Sequence, residues 1–229
     1  MMAACNEQSR IAPRVSRRLS ISRCFLLLPA LLPGLLCALF WLLPAAAAGS
    51  GRPLPGNLIR VPLVRQSTDY TCGVAALQSL LGYFAIEERE DKLAAELRSN
   101  RKQGTAFARI VKAAEKRGLS AQVQVGMTIP ELKRCIDSRK PVLCLVQAWA
   151  EAENGRSVNY EERWQDGHYV VAVGYDDDCL YFMDPSTLGH FAYIPRGEFE
   201  KRWHDTDGSR KLEHFGMVFG NVKNVPKYL

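Results

Sequence analysis

Much of what would point this 229-residue chain toward a metal site, a disulfide scaffold or a nucleic-acid partner is missing. No C-x-x-C pair and no His/Cys cluster has zinc-ligand spacing, so neither a metal nor another cofactor is expected. Of seven cysteines, only Cys72, Cys135, Cys144 and Cys179 lie beyond residue 48. Four thiols over that length do not make a disulfide framework. The choice left is one bridge, with Cys135 and Cys144 nearest in sequence, or four separate thiols. The basic balance is also local. Residues 1–48 hold five Arg and one Glu, whereas residues 49–229 hold 25 Lys and Arg against 23 Asp and Glu. A net charge of +2 over 49–229 is no footprint for nucleic acid, and none is expected as a partner. No internal repeat or low-complexity tract follows residue 58.

What is present begins with a targeting pattern. Arg10, Arg14, Arg17, Arg18 and Arg23 precede an apolar run from Cys24 to Leu43, then Pro44 and the string Ala45–Ala48. Basic, apolar and small-residue regions in that order read as a secretory signal peptide cut after Ala47 or Ala48. The run is also long enough for an uncleaved membrane anchor. Either reading of residues 1–48 places the rest outside the cytoplasm, secreted or periplasmic, and limits membrane contact to this segment. Residues 49–57, rich in Gly and Pro, read as a linker, residues 58–221 as the domain, and 222–229 as a tail.

Within the domain, Ile59–Val64 reads as a short strand. From Thr71, Ala76, Leu77, Leu80, Leu81 and Phe84 recur at helical spacing. Further helices are expected over Glu90–Arg98 and Ala106–Arg117, the latter capped by Thr105. Thr128 with Glu131 gives the capping-box pattern of a fourth helix. The period then changes. Pro141–Trp149, His168–Tyr175, Leu180–Met183, His190–Ile194 and Lys211–Phe219 read as strands, with Ala150–Gln165 a polar loop. Helices first and antiparallel strands second describe an α+β domain with segregated halves.

The chemistry concentrates in Gln66-Ser-Thr-Asp-Tyr-Thr-Cys72-Gly73, which ends at the first turn of the first helix. Unpaired backbone N–H groups and the positive end of the helix dipole favour a thiolate there. Gly73 is expected to keep the approach to the sulfur open. Gln66 carries an amide able to donate to a developing oxyanion beside the Cys72 N–H. His168 opens the most strand-like run and can take the thiol proton. A hairpin turn centred on Asp177 pairs His168 with position 186. Asp184 then stands two residues along the partner strand, on the same face. A slip of one residue would put it on the other face. The run Asp176–Asp178 reads as a charged turn rather than a calcium site. Trp149, Trp164 and Trp203 read as packing residues, with Trp164 the best groove candidate. His190, His204 and His214 have no ligand-like spacing and read as surface or strand-end residues.

Gln66–Gly73, Asp166-Gly-His168-Tyr-Val-Val and Met183-Asp184-Pro-Ser together resemble the peptidase C39 family in its stand-alone form. The resemblance runs from Leu58 to Phe219 and keeps the family's motif order. It implies a papain-like cysteine peptidase fold and cleavage of leader peptides, typically after a double glycine. It also implies Cys72 as nucleophile, His168 as general base, Asp184 as the acid orienting it, and Gln66 as oxyanion donor. The partners implied are a peptide or protein substrate and a secretion system, although no transporter domain follows. Two other readings keep the fold: papain-like acyl transfer, or a non-catalytic peptide-binding module.

Overall fold

A computed structural model describes residues 52–148, 150 and 158–221. The leader 1–48, Trp149, residues 151–157 of the expected polar loop and the tail 222–229 lie outside the described residues. The expected α+β architecture is present. Six antiparallel strands form one sheet in the order β1-β8-β2-β3-β4-β5. The strands are β1 Leu119–Gln124, β2 Val142–Gln147, β3 Gly167–Tyr175, β4 Cys179–Met183, β5 Ala192–Pro195 and β8 Gly216–Asn221. A separate hairpin joins β6 His204–Asp207 to β7 Arg210–Glu213. The helices are α1 Cys72–Tyr83, α2 Glu90–Leu97, α3 Phe107–Lys116, α4 Ile129–Asp137 and α5 Arg196–Arg202.

The sequence of α1, CGVAALQSLLGY, is apolar nearly all round, as a helix enclosed by the core must be. Val74, Ala75, Ala76, Leu77, Leu80 and Leu81 are fully buried. β2, VLCLVQ, is buried along its whole length in the middle of the sheet, so its apolar run does not alternate. The capping box on α4 forms: Glu131 N donates to Thr128 Oγ1, and Thr128 N donates to the Glu131 carboxylate.

Several expectations need correction. Thr105 does not cap α3. Ala106 stands at the N-cap without a side-chain bond, while the Thr105 hydroxyl pairs with Ser99 Oγ at 2.7 Å. Ile59–Val64 is not a ladder strand. Ile59 N–H donates to Val173 O at 2.7 Å, and Pro62 has no N–H to continue the pattern. Lys211–Phe219 is two strands, because His214 breaks it with φ +50° in the left-handed region. The halves are not strictly segregated either: β1 lies between α3 and α4 and pairs with β8, the last strand. All four described cysteines are free thiols, so Cys135 and Cys144 do not bridge.

Residues 52–58, mostly expected as linker, are fastened to the far end of β3. Arg52 donates to Asp176 Oδ2 at 3.0 Å and to the Tyr181 hydroxyl at 2.9 Å, and pairs with Asp178 at 3.3 Å. Asn57 Oδ1 accepts the Tyr175 N–H, and Tyr181 donates to Pro53 O. The Asp176 carboxylate, satisfied by the N–H groups of Asp178 and Cys179 as well, is a charged turn. Removing residues 1–57 rather than 1–50 is therefore expected to lower stability, since it takes away the Arg52 counter-ion of Asp176 and the Asn57 acceptor of the Tyr175 N–H together. Differential scanning fluorimetry should show the shorter chain melting at a lower temperature.

Candidate active site

The β3–β4 hairpin decides where Asp184 points. At the turn, Tyr175 pairs with Leu180 and Gly174 with Tyr181; beyond it, Ala172 pairs with Phe182 and Val171 with Met183. Val173 is the extra residue of a β-bulge between them. Continued from the turn without the bulge, the register would set Asp184 opposite Val171. With it, Asp184 falls opposite Val170 and His168 opposite position 186, so His168 and Asp184 share a face. This is the pairing expected from the sequence, reached through a bulge that the sequence does not announce.

The consequence is a bond of 2.8 Å from His168 Nε2 to Asp184 Oδ1. A carboxylate only accepts, so Nε2 carries the proton. The N–H and hydroxyl of Ser186, each at 2.8 Å, converge on the same oxygen. Burial alone would raise the Asp184 pKa, and His168 and Ser186 hold it below the ordinary carboxylate range.

On its other side, the His168 ring hydrogen-bonds Cys72, which leaves Nδ1 to the sulfur. Cys72 is the first residue of α1, 8 % exposed. Burial pushes its thiol up. The bond and charge of His168, with the N–H groups of Tyr169 and Gly73 behind them, pull it below its usual value. For His168, burial disfavours the imidazolium, and Asp184 and Cys72 together reverse this, leaving its pKa raised. Opposite shifts on two touching groups describe a pair poised as thiolate and imidazolium.

Gln66 is anchored beside this pair, its backbone N–H donating to Pro185 O at 3.0 Å, next to Asp184. Its side-chain Nε2 folds back onto Thr68 O at 2.7 Å. Its Oε1 is buried without a hydrogen-bond partner among the described residues. The loop 66–71 is fixed at both flanks: Ser67 bonds Glu90 through N and Oγ, and Asp69 pairs with Arg101 at 2.7 Å. Between this loop and α2 lies a recess of about 510 Å³, lined by Ser67, Thr68, Tyr70, Thr71, Ala94 and Arg98 among others. It ends one residue short of Cys72.

Gly73 has a different function from the one expected. A Cβ there would meet Thr105 Cβ at 2.8 Å and Tyr169 Cδ2 at 2.9 Å. The glycine lets α1 close on β3, where Tyr169 donates from its hydroxyl to Thr105 O at 3.0 Å. Trp203 is fully buried and donates to Phe215 O, whereas Trp164 lies against His204 with Lys211 above it. His204 is buried at the start of β6 and donates to Arg163 O at 2.7 Å. Sequence reasoning missed Gln147, whose amide holds the segment leading into His168: Asp166 N–H donates to its Oε1 at 3.0 Å. The signal was a fully buried polar residue at the end of an apolar strand.

A cysteine at a helix N-terminus, a histidine at a strand start and an acid on the neighbouring strand define the class of papain-like cysteine peptidases. The comparisons resolve it further. The model of the Peptidase_C39 like family matches residues 58–210, and the chain belongs to that family of cysteine-type peptidases. A putative C39-like peptidase from Bacillus anthracis shares the fold at a TM-score of 0.55 and 22% identity. That likeness covers 71% of this chain and 96% of the other. The peptidase domain of Streptococcus ComA, described as a bifunctional ABC transporter involved in quorum sensing, gives 0.52 and 20%, covering 70% and 98%. An uncharacterised protein of Methanothermobacter marburgensis is 28% identical over 124 residues, 54% of this chain and 71% of that one.

Replacing Gly73 by Ala should cost about 1–3 kcal/mol through overpacking against Thr105 and Tyr169. Chemical denaturation of the Gly73→Ala variant, read by tryptophan fluorescence, is expected to show a lower midpoint at unchanged slope.

Proposed function

We propose that the protein hydrolyses peptide bonds through Cys72, His168 and Asp184. The observation that carries the reading is the imidazole of His168, bonded on one side to a thiol at a helix N-terminus and on the other to a buried carboxylate. The Cys72 thiolate attacks the scissile carbonyl carbon. The oxyanion forms beside the Cys72 N–H, which has no partner among the described residues, and the Gln66 amide, whose Nε2 has a second hydrogen beyond the one given to Thr68 O. Imidazolium His168 returns a proton from Nδ1 to the leaving amine, and the thioester remains. Neutral His168 then deprotonates a water that attacks the thioester, and the acid departs as the thiolate re-forms. Asp184 holds the ring and its tautomer throughout.

The narrower substrate reading is a leader peptide cut after a double glycine, supported by the likeness of the three motifs to leader-processing members of the family. The neighbour that belongs to an ABC transporter favours a secretion-system partner. The leader pattern of residues 1–48 favours a site outside the cytoplasm, secreted or in the cell envelope.

Iodoacetamide labelling of Cys72 against pH, followed by mass spectrometry, tests the reading. Reactivity is expected to rise at a pH well below the ordinary thiol value of about 8.5. In His168→Ala the burial remains and the counter-charge is gone, so the midpoint should move above that value. A Cys72 that labels like Cys135 in both proteins would remove the nucleophile. With a peptide carrying Gly-Gly before the scissile bond, Asp184→Ala is expected to lower kcat/KM about 10²- to 10⁴-fold.

A further inference from the structure

The loop that leads from Gln66 to Cys72 stands off from the helix it faces. Between it and α2 lies the recess of about 510 Å³, so packing does not seat the loop on that helix. Its two ends are held differently. At the Cys72 end, Thr71 is buried, and its Oγ1 accepts from the Thr68 N–H and the Thr68 hydroxyl, each at 3.1 Å. At the other end Gln66 is half-buried and Ser67 exposed, and their bonds run outward. Gln66 N–H donates to Pro185 O on one side. On the other, Ser67 donates from N at 3.0 Å and from Oγ at 2.8 Å to a single oxygen, Oε1 of Glu90.

Glu90 offers a fixed point across the recess. It is the first residue of α2, where the positive end of the helix favours a carboxylate. Leu93 and Leu97 bury the inner face of the same helix. What the tether holds is the aim of an amide. Gln66 Nε2 gives one hydrogen to Thr68 O, within its own loop. The direction of its second hydrogen therefore follows the backbone of residues 66–68, and Ser67 is the middle of that stretch.

We infer that Glu90 is a positioning residue for the oxyanion, acting through Ser67 on the Gln66 amide. The inference rests on Gln66 being the oxyanion donor. The bonds of Glu90 to this loop end on Ser67, so its effect falls on the carbonyl step and spares the thiolate. Glu90 and Ser67 meet at the surface, where a substitution leaves the fold standing.

The test compares two reagents on the full chain. With iodoacetamide the Cys72 thiolate displaces iodide from carbon, and no oxyanion forms. With p-nitrophenyl acetate it attacks the acetyl carbonyl, whose oxygen becomes the oxyanion, and p-nitrophenolate leaves as the Cys72 thioester forms. Alkylation is read by mass spectrometry of the Cys72 peptide, and acylation by initial p-nitrophenolate release, less that of Cys72→Ala. In Glu90→Ala the acylation rate should fall about 3- to 30-fold, part of the roughly 10²- to 10³-fold that a lost oxyanion donor costs. The alkylation rate should not change. Glu90→Gln, which keeps an acceptor oxygen, should restore acylation, and Ser67→Ala, which keeps the N–H bond, should give a smaller fall. In a Gln66→Ala background, Glu90→Ala should add nothing. Unchanged acylation in Glu90→Ala overturns the inference, as does a fall in both rates together or an equal fall without Gln66. Gln66→Ala by itself reports the oxyanion reading: no fall there removes that reading and the inference with it. The alkylation rate of the unaltered protein against pH reports the activated thiolate separately.

Discussion

Everything chemical in this molecule depends on a hairpin register, and the register depends on Val173. A strand has two faces, and a shift of one residue exchanges them. The turn at Asp176–Asp178 counts Asp184 onto the face away from His168, and the bulge counts it back. The bulged residue is also where the N-terminal strap docks, since the Val173 carbonyl accepts the Ile59 N–H. The segment leading to Gln66 and the hairpin carrying His168 are thus joined at the residue that sets their geometry. The second joint, Gln66 N–H to Pro185 O, lies beside Asp184. Between the two, the loop entering α1 is held against the sheet before any substrate arrives.

Burial and pairing oppose each other in this centre, and magnitude decides the outcome. Cys72, His168 and Asp184 are all at least nine-tenths buried, which would leave each of them neutral if isolated. Each is instead the other's reason for being charged. Cys144, equally buried but with no cation beside it, shows the alternative: its thiol is raised far above its ordinary value. One residue type in one core therefore gives a thiol held below its ordinary value at position 72 and one pushed far above it at 144. The difference lies in a histidine and in the open end of a helix.

How much of this was legible in the sequence follows from what kind of signal each part leaves. The helices with strong periodicity and the buried strands were readable because burial dictates them residue by residue. Cys72, His168 and Asp184 were readable because three short motifs carry them in order, and the structure brings them together. β1, LSAQVQ, was not: it is an edge strand, mostly solvated, and carries little apolar pattern. Nor was the break at His214, where a non-glycine residue takes a left-handed conformation that tertiary contacts impose. Gly73 and Gly167 could be noticed as glycines, but what would collide with them depends on Thr105 and Asp205, distant in sequence. Long-range contacts of this kind leave no local trace.

The clamp at Gln147 has a consequence for how such a scaffold diversifies. Ala148 N–H donates to Asp166 O at 2.9 Å, and Gln147 takes the Asp166 N–H, so the two ends of the intervening segment are stapled at its base. Lengthening a loop whose ends are already fixed costs little, about 0.6 kcal/mol for each doubling. The staple isolates His168 from whatever is inserted between residues 148 and 166. Insertions in that stretch can therefore vary what the domain embraces while the imidazole stays beside the thiol.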